Sequence, residues 1–174
     1  MTESAAIVSE TSQLVDSLNE AVKATFDTIL GERPKACGSV DTSVTCSGLI
    51  GIIAVIGDVS WSVSLGFPED TAMRMAEQFA GFEIEFDSAD MGDVIGELAN
   101  VLAGDVVARL DALGVRVQMS LPSVARVSEF HILKPGAVES LLFKYLSSQG
   151  EFVVGLAMAK PIRRPEPNTP RCAL

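Results

Sequence analysis

A single α/β domain of the α+β kind, with three helices packed on an antiparallel-rich sheet of about six strands, is what the hydrophobic periods of this chain predict. Apolar residues recur at helical spacing over 4–30, 68–80 and 90–113. The remaining apolar residues fall in short alternating or unbroken runs bounded by Gly, Pro and Asp, which is the signature of strands joined by tight turns.

The first helix carries Ile7, Leu14, Val15, Leu18, Val22, Phe26, Ile29 and Leu30, and Gly31 stops it with Pro34 beyond. From about residue 36 the period changes to two. Residues 36–45 alternate, residues 46–56 form a nearly continuous apolar run as in a central strand, and Gly57-Asp58 turns the chain into the alternating stretch 59–66. Trp61 alternates with Val59, Val63 and Leu65, which assigns it to packing on the sheet and not to a ligand platform. Pro68 followed by Glu69 and Asp70 opens the second helix, because proline fits a first turn and acids complement the helix dipole. Met73, Met75, Ala76 and Phe79 form its apolar side. The third helix starts near Asp90 and closes at Gly114. Residues 115–121 alternate as a strand ending at Pro122, residues 123–134 form a connection or irregular strand up to the Pro135-Gly136 turn, and 137–147 with 151–160 make a final strand pair.

Composition narrows the class of function. The 174 residues fit one domain, 1–160, followed by a Pro- and Arg-rich flexible tail, 161–174, with no hydrophobic period. A formal net charge of −10 argues against a nucleic-acid partner. The apolar run Leu49–Ile56 is far short of the roughly 20 residues of a membrane-spanning helix. The N-terminal residues lack the basic flank of a secretory leader. The three cysteines are odd in number, without C-x-x-C spacing or a nearby histidine, so neither a disulfide framework nor a metal site is expected and a cytoplasmic location fits. Cys37 and Cys46 read as small, at least half-buried residues. His131 is the lone histidine, with no nucleophile placed beside it.

The third helix holds the chemistry. Val94, Ile95, Leu98, Val101, Leu102 and Val106 fill its apolar stripe, while Asp93, Glu97, Asn100 and Gly104 share a sector of roughly 60° on the other side at about 100° per residue. Taken by spacing alone, a Glu and an Asn one turn apart are a solvated face. Gly96 and Gly104 each cost about 1 kcal/mol relative to alanine in a helix interior, which suggests clearance for another surface. Asp93 has a simpler reading, as reciprocal partner to an Asp90 cap. Asp105 and Arg109 interrupt the stripe at i, i+4 and are expected to pair.

Asp93-x-x-x-Glu97-x-x-Asn100, set within Gly92-Asp-Val-Ile-Gly-Glu-Leu-Ala-Asn-Val-Leu-Ala-Gly104 and followed by Pro122, resembles the D/S-x-x-x-E-x-x-N…P signature of the CheC/CheX/FliY chemotaxis phosphatases, most closely the CheX branch. The interval from Asn100 to Pro122 is about one residue shorter than the commonest family spacing, and the first helix, with Asn19 and Glu20, carries no second copy of the motif. The resemblance implies a CheC/CheX-like fold, a homodimer with one site per subunit, and a phosphorylated CheY-like receiver domain as partner. It implies Glu97 and Asn100 as catalytic residues, with Asp93, Gly96 and Gly104 on the receiver-facing surface. It implies no cofactor of the chain's own, the Mg2+ coming with the receiver. The competing reading is a CheX-like module that binds a receiver, or dimerises, without hydrolysis.

Overall fold

The computed structural model describes residues 3–40, 47–128 and 138–159. Cys46, His131, the Pro135-Gly136 turn and the 161–174 tail lie outside the described residues. In chain order the elements are α1 (Glu3–Leu30), β1 (Lys35–Ser39), β2 (Gly48–Gly57), β3 (Ser60–Pro68), α2 (Glu69–Ala80), α3 (Ala89–Ala112), β4 (Val117–Met119), β5 (Ser123–Val127), β6 (Val138–Ser147) and β7 (Gly150–Ala159). The three helices fall where the periodicity puts them. Gly81 (φ 81°) closes α2, its N–H bonded to the Glu77 carbonyl at 2.7 Å, and Gly114 (φ 81°) follows α3.

Among the described residues the sheet has seven strands, every pairing antiparallel, in the order β1-β6-β7-β3-β2-β4, with β5 also on β2. The seventh is β5, from the stretch that reads as a connection or irregular strand. β4 and β5 are two halves of one edge strand along β2. Val55 faces Met119 and Ile52 faces Ser123, so the two β2 residues between them oppose three, Ser120, Leu121 and Pro122. That extra residue is a β-bulge, and it hides the strand from a period-2 reading.

One side of the sheet carries the core. Val63, Leu65 and Phe67 of β3 and Phe152, Val154 and Leu156 of β7 are buried beneath Leu18, Val22 and Phe26 of α1, Met75 of α2 and Leu98 and Leu102 of α3. The Phe26 and Phe152 rings stack at 4.5 Å, and Phe152 stacks on Tyr145 at 5.3 Å. Trp61 is buried, as expected for a sheet-packing residue. Burial raises the Tyr145 phenol pKa, and its hydroxyl donates to Asn19 Oδ1 on α1. Thr25 Oγ1, also buried on α1, has no hydrogen-bond partner among the described residues. Cys37 is exposed, not buried, because β1 is an edge strand whose five residues are all solvent-facing.

Candidate functional site

Helix α3 is held to the sheet by three devices, at its entry, at its middle and on its flank. At its entry, Arg126 of β5 donates to the Phe86 carbonyl at 2.7 Å, lies 5.2 Å over the Phe86 ring and pairs with Asp87 at 3.4 Å. This fastens the loop that feeds the helix. The cap is Ser88, not Asp90: Ser88 Oγ accepts from Met91 N at 3.2 Å and donates to the Glu85 carbonyl at 2.7 Å. Asp90 therefore sits in the first turn, where its charge suits the helix dipole, and Asp93 is exposed on the polar side instead of closing a capping box.

In mid-helix the backbone of β2 comes very close. A Cβ built on Gly51 would stand 2.8 Å from Ala99 Cβ and 3.3 Å from the Ile95 carbonyl oxygen, so only glycine lets α3 sit this low. On the flank, a Cβ on Gly96 would meet Val124 Cγ2 at 3.4 Å and Pro122 Cγ at 3.6 Å. Gly96 is thus buried against the chain's own edge strand, where a Cβ would stand in ordinary van der Waals contact with β5 and the bulge. The same contact places Pro122 directly beside the signature helix.

On the outward side, Glu97 and Asp93 are exposed and Asn100 is half-buried. Among the described residues, the side chains of Glu97 and Asn100 have no hydrogen-bond or ion-pair partner. A Cβ on Gly104 would meet nothing within 4 Å, so the surface one turn beyond Asn100 is flat and open. Val101, read as part of the apolar stripe, is instead exposed, since it lies at the edge of that stripe next to Glu97. Asp105 and Arg109 pair at 3.4 Å, half-buried, as their spacing implies. No group of three His, Cys, Asp or Glu that could hold a metal occurs among the described residues.

The arrangement offers chemistry to something that docks. A carboxamide can donate to one atom and accept from another at once, and a neighbouring carboxylate can receive a cation from a partner. Helix α1, which packs beside α3, does not repeat it. Its Asn19 is turned to the core and bonded by Tyr145, a contact across 126 positions that has no local signal in the sequence.

A two-layer α+β domain with this helix face belongs to the CheC/CheX-like class of folds. A family model described as chemotaxis phosphatase CheX matches residues 49–146, from β2 almost to the end of β6, and the chain belongs to that family. The CheY-P phosphatase CheX of Thermotoga maritima is 26% identical over 141 residues, covering 79% of this chain and 90% of that protein. Among solved structures, the chemotaxis protein CheX of Desulfovibrio desulfuricans superposes with a TM-score of 0.73 at 20% identity, over 83% of this chain and 98% of that one. CheX in the CheX–CheY–BeF3–Mg2+ complex of Borrelia burgdorferi gives 0.66 at 17% identity, over 84% and 97%. At those identities the structural likeness establishes the shared fold. Among the described residues, no helix is long and apolar enough to cross a membrane.

Proposed function

We propose that this protein hydrolyses the aspartyl-phosphate of a CheY-like receiver domain. The observation that carries the reading is the Glu97–Asn100 face, two polar side chains one turn apart and without partners among the described residues, on a helix packed closely on its own sheet. The relative named CheY-P phosphatase and the relative crystallised with CheY support the choice of partner.

In this mechanism Asn100 enters the receiver site and orients a water in line with the phosphorus. The water oxygen bonds to phosphorus as the bond to the aspartyl oxygen breaks, which releases inorganic phosphate and restores the carboxylate. Such a reaction asks for positioning and charge compensation more than covalent catalysis by the protein. The receiver contributes Mg2+ and a lysine, and Glu97 pairs with that lysine to set the register of insertion. Asp93 and Gly104 border the docked receiver. We further propose a homodimer with one such site per subunit.

The test is dephosphorylation of radiolabelled phospho-receivers from the same genome by wild type and Asn100→Ala. Asn100→Ala is expected to lower the rate by about a hundredfold or more while the thermal midpoint stays near wild type, since the side chain makes no bond among the described residues. A receiver that binds but loses phosphate only at its intrinsic rate would instead establish a non-catalytic binding module.

A further inference from the structure

The bulge between β4 and β5 produces one side chain that belongs to neither side of the sheet. Met119 and Val124 point to the helix side, as does Pro122, which lies against Gly96, while Ser120 and Ser123 take the opposite side with Ala54 and Ile52. The residue left over is Leu121. At 87% exposure it is the most exposed large hydrophobic among the described residues. Its position is nonetheless fixed. Ser120 N donates to the Ala54 carbonyl at 2.9 Å, Ser120 Oγ accepts from Ala54 N at 3.0 Å and donates to the Leu121 carbonyl at 2.9 Å, and Pro122 follows. A single exposed leucine is ordinary on a protein surface; what sets Leu121 apart is that its backbone is pinned and that it stands next to Pro122, which lies against the signature helix.

Its location gives it a use. Pro122 touches α3 at Gly96, and Asn100 lies one turn further along the helix, roughly 40° around from Gly96 and away from the core. Leu121, next in the chain to Pro122, therefore flanks α3 at Gly96, the side of the polar face on which Asn100 lies, while exposed Val101 borders that face on the Glu97 side. The polar centre has an apolar margin on each flank, the layout of a site that excludes water as a partner seats.

The geometry points to Leu121 as the apolar anchor that seats the phosphorylated receiver domain beside Asn100, acting on affinity and not on the chemical step. This rests on the receiver-phosphatase reading above. Bulges re-aim side chains next to active sites, and here the re-aimed residue is the one that meets the partner.

The test is steady-state dephosphorylation of the receiver that wild type accepts, comparing Leu121→Ser with Leu121→Met and Ile56→Ser. Ile56 is also exposed on β2, at 60%, but on the opposite side of the sheet from α3. Leu121→Ser is expected to raise KM about tenfold with kcat within about twofold of wild type, the change that loss of one buried leucine contact brings. Leu121→Met is expected to restore the wild-type KM, and Ile56→Ser to leave it unchanged. An unaltered KM in Leu121→Ser, an equal rise in Ile56→Ser, or a change confined to self-association by sedimentation would overturn the assignment. If wild type dephosphorylates no receiver, the failure belongs to the proposed function; if it does and Leu121→Ser matches it, the failure belongs to Leu121 alone.

Discussion

Replacing Gly51 by alanine tests whether the site helix is seated by a missing side chain on the strand beneath it. The new methyl would begin 2.8 Å from Ala99 Cβ, where carbon atoms settle at about 3.5–4.0 Å. Relief requires α3 to rise, or β2 to bow, by about 1 Å. The Ile95 carbonyl at 3.3 Å blocks a sideways escape. Overpacking of this size costs about 1–3 kcal/mol, which moves a urea midpoint down by about 1 M. Asn100 follows Ala99 directly, so the same displacement is expected to lower receiver dephosphorylation by about a hundredfold. Removing the opposing methyl, in Gly51→Ala with Ala99→Gly, should recover part of both losses despite the helix penalty of about 1 kcal/mol for the second glycine. The assays are urea denaturation followed by circular dichroism and single-turnover phosphate release. Strict additivity of the two substitutions, or an unchanged urea midpoint in Gly51→Ala, would refute the reasoning, because contacting residues must couple.

Gly104→Ala and Gly92→Ala both fill open space on α3 and should each raise stability by up to about 1 kcal/mol in the same denaturation assay, less at Gly92 in the first turn. They should part company in activity. Gly104→Ala is expected to slow dephosphorylation by intruding on the docked receiver, and Gly92→Ala is not. Thr25→Val removes a buried hydroxyl without a partner among the described residues, at nearly constant volume, and should raise stability by about 1 kcal/mol, read as an upward shift in thermal midpoint.

Local regularities made much of this molecule readable in advance. Helix α3 announced itself because a long run keeps a 3.6-residue period, and the β6–β7 pair because Ser148-Gln149-Gly150 makes a turn between two apolar-rich runs. The polar face followed from azimuth alone. What escaped depends on partners distant in sequence. β5 is short and follows a proline, and only its register on β2 shows that it is a strand. Ser88 lies two residues before Asp90, and both are good caps; the choice is made by Arg126, which pulls the entry loop onto β5. That Gly96 lies beside Val124 and Pro122 was not visible locally, because those two residues come more than twenty positions later. Exposed Val101 could not be told from a core valine, since a stripe's margin is set by the neighbour it meets.

The interruption in the β4–β5 strand also bears on how the molecule stays apart from others in a crowded solution. That strand closes one side of the sheet, where an unbroken row of backbone donors and acceptors would invite another chain to add itself on. Here the row is cut near its middle. Pro122 has no N–H to offer, and the extra residue throws the spacing out of step. Any incoming strand could match one half or the other, never both. The same departure from regularity that turns Leu121 outward leaves this border a poor template for fibrous growth.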